Sequence, residues 1–561
     1  MKLLKLLVQS APAALLFALS LGLLVFYVNP SQALGLRGLW WTTGACFLVP
    51  GLVAWIAWPL ALMALRFFAE HPAEPGWFRF ERFHRFYLLD TTVAAAIWWG
   101  NYLATPALLP LPAHRLLLAG CGMITLLGCL SALASLPRSL VRGLRPRWVQ
   151  GTLLVVLFGG LFGLRVGGGG EVPGAGGPLR VGPVPPRGRL VLVGIEGLSP
   201  EFVLPLAAEG RLPSLAAMLR EGGRARVQAR GPQVPPAAWT TVISGVLPRR
   251  HGIVDRSRWR LLADGSELTL APRFVGFRLL VAAGLVDPVA LSSGDRREPA
   301  IWQLLEGARL RSVVVGWPAA EPPDAGRTRF LPVRGPGPDP PGIDAAVDRL
   351  AEWGNDAEGR RLQAVAREAI GQDARALARA GEAIEAGEAE LILVHLPGLG
   401  SVQREFLGKA VPPALRWSPG EPDPAYGEVI ARYHRFLDEG LAALRARVRA
   451  GPPLWIVMST SGVRRPAPWA LFLGRFSGWR WLGPHGRPPA GMLLAAGPGI
   501  VAGIDAGDLE PQDLLPTAAY YLGLPVARDL DGRPRTSLFD EEFITQHPAA
   551  YIPSYRRRAE R

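Results

Sequence analysis

The chain is short of the residues that define several protein classes. Three cysteines (Cys46, Cys121 and Cys129) are too few for a disulfide scaffold, and none lies beyond residue 129, which excludes a cysteine-based zinc ribbon. Lysine occurs three times (Lys2, Lys5 and Lys409) and asparagine three times. Charged residues make up 19% of the 561 positions against 49% hydrophobic, and mean hydropathy is +0.20, which excludes a disordered chain and points away from a wholly soluble one. Glycine (66) and proline (54) are abundant but show no collagen period. The formal charge of +15 is carried by dispersed arginines. Scarce lysine and asparagine beside abundant alanine, glycine, proline and arginine is the mark of GC-rich codons. The basicity is therefore read as solvated or headgroup-facing, with no nucleic-acid partner expected.

Long apolar runs fill the first third. Five stretches, roughly 8–28, 39–65, 87–111, 115–136 and 148–164, approach or reach the ~17–25 residues that span a bilayer as a helix. Pro50 and Pro59 predict a kink in the second. Trp40, Trp41, Trp98, Trp99 and Trp148 lie near the ends of these stretches, where amphipathic rings favour the interface. The first stretch also reads as a signal peptide, with basic Lys2 and Lys5 and a small-residue site at Ser31-Gln32-Ala33. With a cytoplasmic N-terminus, ten basic residues fall inside (Lys2, Lys5, Arg66, Arg79, Arg82, Arg85, Arg138, Arg142, Arg145, Arg147) and two outside (Arg37, Arg115). This predicts a multi-pass protein of a bacterial inner membrane, with lipid as a partner and everything after residue 165 outside the cytoplasm. Asp90 and Asn101 lie in the third stretch. Asp90, beside His84 and Arg85 near the cytoplasmic end, is expected to snorkel or pair locally.

The expected domains are a transmembrane domain at 1–165 with about five helices, a Gly/Pro linker at 166–188, an α/β domain at 189–540 and a basic tail at 541–561. The α/β domain declares itself by continuous apolar runs of strand length at 190–197, 312–317, 390–396, 454–460 and 491–497, with helical spacing between them. Such alternation predicts a mainly parallel central sheet covered on both faces. Sites in such sheets form at the carboxyl ends of strands, here Glu196-Gly197, Pro397–Gly400 and Ser459–Gly462.

The runs GIEGLSPEFVLPLAAEGRLPSLAAMLREGG (194–223) and PPAAWTTVISGVLPRRHGIVD (235–255) resemble the type I phosphodiesterase/nucleotide pyrophosphatase family of the alkaline phosphatase superfamily. The likeness continues at LILVHLPG (391–398), RYHRFLDEGLAAL (432–444), WIVMSTSG (455–462), GMLLAAGPGI (491–500) and DLLPTAAYYLGLPVARDLDGR (513–533). The resemblance implies an alkaline-phosphatase-like fold and two-metal phosphoryl transfer, in which two zinc-like ions clamp a phosphate and activate a Thr or Ser.

At nearly every position where the resemblance would place that chemistry, this sequence departs from it. Glu196 replaces an Asp, Pro235 stands at the nucleophile position, Gly400 and Arg404 replace a D-x-x-x-H pair, and Thr460 and Ser461 replace an Asp-His. The last histidine aligns with His485 or with Arg487. Glu196 and His485 remain as remnants, so no metal cofactor and no catalytic residue is expected. The alternative is a rearranged site using nearby hydroxyls (Ser199, Thr240, Thr241, Ser244) and donors (His251, Asp255, His395). Arg404, Arg464, Arg465 and Arg487 are candidates to hold an anion in place of the metals, and Asp438 and Asp513 are expected to be structural. The implied function is a pseudoenzyme that binds an acidic or phosphate-bearing envelope ligand or scaffolds envelope proteins. The alternative function is an active phosphodiesterase or lipid-headgroup phosphotransferase.

Overall fold

A computed structural model describes residues 2–30, 36–68, 81–135, 156, 158–165, 181–229, 234–273, 275–321, 326–333, 340–406, 409, 425–449, 451–463 and 489–556. The chain forms two compact units: Met1–Gly174 with Val254–Ala290, and Ala175–Ile253 with Leu291–Arg561.

The first unit is built on the helices Lys2–Val28, Leu36–Cys46, Leu52–Phe68, Glu81–Ala104 and Leu111–Ser135. A π turn, Phe47–Gly51, joins the second to the third and contains Pro50, whose ring cannot donate to the helical ladder. Among the described residues three helices are long and apolar enough to cross a membrane: Ser10–Val28, Gly38–Ala61 and Leu111–Ala132. The third expected stretch is a helix of 24 residues, but Asp90, Asn101 and paired tryptophans dilute its hydropathy below that of a candidate span. The fifth stretch lies mostly outside the described residues. Asp90 does not snorkel. It is 3% exposed, on a helix that packs against Lys2–Val28 and Leu111–Ser135, and its Oδ1 has no hydrogen-bond partner.

Residues Val254–Ala290 belong to this unit although they interrupt the expected α/β domain. The strand Arg258–Leu261 lies between Glu267–Leu268 and Val286–Val289, antiparallel to both. The apolar side chains of this segment share one core cluster with those of the helices. That shared core is the physical reason for the changed boundary.

The second unit contains an eight-stranded sheet: β1 Leu190–Ile195, β2 Gly223–Val227, β3 Ser312–Val315, β4 Arg329–Leu331, β5 Leu391–Leu396, β6 Leu454–Met458, β7 Gly491–Ala496 and β8 Asp505–Leu509. Their order is β8-β2-β7-β6-β1-β5-β3-β4, and β7 alone runs against its neighbours. All five strands expected from apolar runs are present. Val191, Val193 and Ile195 of β1 face one core with Phe202, Leu215, Ile370 and Leu437, while Leu190 and Leu192 face the other with Trp239, Ile243, Trp302 and Leu515. This strict alternation places helices on both faces of the sheet.

The unit also extends past both expected boundaries. Val181 is buried in its core, inside the expected linker. At the other end the helix Glu541–Gln546 stacks Phe543 on Phe539 and Tyr521, and Tyr551–Ile552 pairs with Val526–Ala527, so residues 541–556 are packed chain rather than a basic tail.

Candidate functional site

Strands β6, β1 and β5 are adjacent and parallel, with Ile195 opposite Leu396 and Gly194 opposite Met458. Their carboxyl ends therefore share one sheet edge. Gly197 follows β1 at φ +82°, a left-handed turn that a side chain would fill only by striking Gln403 Oε1 at 1.9 Å. Gln403 donates from Nε2 to Gly197 O at 3.0 Å and fixes this turn against the helix Gly398–Phe406 that follows β5. After β6, Ser459 donates its hydroxyl to Ser461 O at 2.7 Å, and Gly462 N–H donates to Pro489 O at 3.0 Å. The antiparallel β7 thus brings its amino end to the same edge.

Glu196 is the centre of this edge. Its carboxylate lies 3.4 Å from His395 Nε2 and 3.9 Å from Arg404 Nη1. Arg404 also donates to Ser401 Oγ at 2.7 Å. His395 is 4% exposed and is enclosed by the rings of Trp239 and Trp317, with centroids at 5.0 and 5.9 Å. Gly400 faces Glu196 so closely that a Cβ there would meet Glu196 Cβ at 2.9 Å and Oε2 at 3.0 Å.

Behind the edge, fully buried Asp373 accepts from Gly398 N–H at 3.0 Å and from the Tyr433 hydroxyl at 2.9 Å. Burial pushes its carboxyl up to about 7, and the charge of Glu196 adds to the shift, while the two hydrogen bonds oppose it. Asp373 was not foreseen, although its spacing from Ala369, Ile370, Ala376 and Ala380 on one buried helix face was a usable signal.

The other candidates fall as follows. Pro235 opens the helix Pro235–Ser244, where proline's fixed φ suits the first turn, and it offers no nucleophile. Thr240, Thr241 and Ser244 donate to the carbonyls of Pro236, Ala237 and Thr240, four residues back. His251 Nδ1 accepts from Ile253 N–H, which leaves Nε2 to donate to Thr241 Oγ at 3.0 Å, and burial pulls the imidazole down to about 3, so it is a neutral strut. Asp255 lies in the first unit, where it accepts from Ala271 N–H and Trp259 Nε1. Asp438 caps the helix Pro213–Glu221 through Ser214 and Leu215 N–H. Asp513 binds Arg535 and the backbone N–H groups of Glu510 and Arg533. Ser199 Oγ is buried without a partner. Thr460 is buried and Ser461 half-buried at the edge. Arg464, Arg465, His485 and Arg487 lie outside the described residues.

Residues 190–465 match the family described as type I phosphodiesterase / nucleotide pyrophosphatase. This stretch of the chain belongs to that family. Solved structures similar to the chain include human ectonucleotide pyrophosphatase/phosphodiesterase 5, at 12% identity over 63% of this chain and 100% of that one, with a TM-score of 0.39. Alkaline phosphatase PafA matches at 13% identity over 64% and 100%, with a TM-score of 0.42. Phosphonoacetate hydrolase from Sinorhizobium meliloti 1021, in complex with phosphonoformate, matches at 17% identity over 54% and 66%, with a TM-score of 0.31. No curated protein matches the sequence.

The two zinc-like ions implied by the family do not fit the described residues. No group of three or more His, Cys, Asp or Glu side chains that could hold a metal is present among them. Two donors, Glu196 and His395, meet at the edge, and a guanidinium stands beside them where an ion would need another anionic or imidazole ligand.

Proposed function

We propose that this protein is a membrane-anchored pseudoenzyme of the type I phosphodiesterase/nucleotide pyrophosphatase family. Its α/β unit serves outside the cytoplasm of a bacterial cell as a scaffold or anion-binding component of the envelope. The orientation rests on the ten-to-two bias of basic residues across the apolar stretches. The observation that carries the loss of catalysis is the contact between Glu196 and Gly400. A Cβ at position 400 would begin 2.9 Å from Glu196 Cβ and 3.0 Å from its Oε2, so the side chain of Glu196 occupies the space that a second carboxylate ligand would need. Proline at 235 removes the attacking oxygen independently.

Of the two pseudoenzyme roles, scaffolding is the better supported. Arg404, the described member of the arginine set, already faces Glu196, which offsets its charge toward an external anion. The opposing reading, an active phosphodiesterase or lipid-headgroup phosphotransferase, rests on the Glu196–His395 pair and the unpartnered Ser199 hydroxyl. Two-metal transfer needs more donors than this pair, converging on ions about 3.5–4 Å apart.

The test is metal analysis and aryl phosphodiester hydrolysis on the full chain purified in detergent. Substoichiometric zinc and no turnover above background are expected. Two bound metals per chain with turnover would overturn the proposal.

A further inference from the structure

The segment Val254–Ala290 sits on the helical unit in an unusual way. Asn29, directly after the candidate span Ser10–Val28, is fully buried and accepts from the N–H groups of Thr269 and Leu270 at 2.8 and 2.9 Å. Its Nδ2 donates to Leu270 O at 2.9 Å. Asn101, near the end of the helix Glu81–Ala104, repeats the clamp: it accepts from Arg273 N–H at 2.7 Å and donates to Arg273 O at 2.9 Å. Arg165 caps the same end of the first helix through Phe26 O and Asn29 O. The polar groups of the unit therefore gather where the first span ends, and they hold residues 269–273 there.

A span that ends at Val28 places Asn29 at the boundary of the hydrocarbon layer. The clamped segment buries Leu261, Leu268, Leu270, Phe277, Leu280 and Val286 against the helices. Two leucines stay out of that core: Leu262 is 50% exposed and Leu279 45%. Their backbones are close neighbours: Leu262 N–H donates to Leu285 O, and Leu285 N–H donates to O of Leu280, the residue after Leu279. Ala263, Ala282 and Ala283, close to them in sequence, are also exposed, as are Arg278 beside Leu279 and Asp264 beside Ala263. An apolar surface next to a cation, fixed at the end of a span, matches the chemistry of the interfacial layer of a bilayer, where apolar side chains sink below the phosphates and guanidinium groups bind them.

We propose that Val254–Ala290 is a membrane-interface foot, with Leu262 and Leu279 immersed in the lipid headgroup layer. The proposal rests on the reading of the apolar helices as membrane spans. Continuity with the span ends favours lipid over a protein occupant.

Cys46 and Cys121 are buried and Cys129 is exposed, so a full chain carrying Cys129→Ser labels at an introduced cysteine. Leu262→Cys and Leu279→Cys, with Ala263→Cys as a milder position, receive an environment-sensitive fluorophore in phosphatidylcholine/phosphatidylglycerol nanodiscs. Leu126→Cys, 51% exposed in the candidate span Leu111–Ala132, is the membrane control. Arg435→Cys, on the α/β unit, is the aqueous control. Lipids spin-labelled near the headgroup are expected to remove more than about half of the emission at the foot positions, and to do so better than lipids labelled deep in the chain. Quenching no greater than at the aqueous control, with the span control quenched, would overturn the foot alone. An unquenched span control would overturn the membrane reading and the foot with it. Protection of the foot cysteines from labelling without lipid quenching would assign the face to a second copy or another protein, and would also overturn the proposal.

Discussion

Asn29 and Glu196 are both polar side chains at the end of a long apolar element, yet their surroundings differ. Asn29 is fully buried and saturated: its amide donates to Val25 O and Leu270 O, and its carbonyl accepts from the backbone of Thr269 and Leu270 and the Thr269 hydroxyl. Glu196, in the other unit, has its nearest described charged partners at 3.4 and 3.9 Å, beyond good hydrogen-bonding range. A buried polar group whose every atom is satisfied is a fastener. Glu196 is held less tightly, facing a histidine and an arginine across longer gaps. Both residues end apolar runs, so the difference lies in the partners and not in the local sequence.

Removing the fastener should give the largest effect. Asn29→Leu would leave the N–H and C=O of Leu270 and the N–H of Thr269 buried without partners, at about 1–3 kcal/mol for each orphaned group. A total loss of roughly 3–5 kcal/mol is expected, read as a lowered midpoint of thermal unfolding in detergent. Asn29→Asp keeps the acceptor and should cost less. Wild-type stability in Asn29→Leu would break the contrast at its stronger end.

The legible parts of the molecule follow the same division between local and distant causes. The five strands at the centre of the sheet are continuous apolar runs, and such runs report burial on both faces directly. β2, β4 and β8 were not visible, because GRARV, RFL and DAGDL are short, polar strands at or near the edges of the sheet. The convergence of Glu196, Gly400 and Ser459–Gly462 was readable because parallel strands must end on one edge. The close approach of Glu196 to position 400 was not, since it is a distance between residues 204 positions apart. The placement of Val254–Ala290 was equally hidden. It depends on hydrogen bonds made by two asparagines with no distinguishing pattern around them, Asn29 to residues 240 and 241 positions away and Asn101 to a residue 172 positions away.

Asp373 lies between the two extremes: like Asn29 it is fully buried and hydrogen-bonded, but it can titrate. Its folded pKa, about 7, is above the unfolded value of 3.8, so the native state holds a proton that the unfolded chain releases. The stabilisation from this group is therefore fully present below about pH 4 and is lost as pH rises through 7. By about pH 7 the loss is on the order of 4 kcal/mol, because each tenfold change in proton affinity is worth about 1.4 kcal/mol. Asp373→Asn removes the titration while keeping an acceptor for Gly398 N–H and a donor for the Tyr433 oxygen. The stability of wild type minus that of the variant should fall between pH 4 and pH 8 in denaturant titrations. A flat difference would mean that Asp373 stays ionised, and would return it to the class of fully satisfied groups.

The smallest effect is also the sharpest, because its sign reverses. Gly400 lies inside the helix Gly398–Phe406, where alanine would ordinarily gain about 1 kcal/mol over glycine. Here the added Cβ would meet Glu196 Cβ at 2.9 Å. That atom cannot rotate away, so the strand end must shift, and overpacking of this kind costs about 1–3 kcal/mol. Gly400→Ala should therefore destabilise the wild type by roughly 1 kcal/mol. Glu196→Gly removes both the opposing Cβ and the carboxylate. In that background Gly400→Ala should stabilise by up to about 1 kcal/mol, a coupling well above the error of a double-mutant cycle. Equal effects in both backgrounds would show that Glu196 does not fill the space at position 400. The carboxylate would then be a mobile surface group, and position 400 would have room for a side chain.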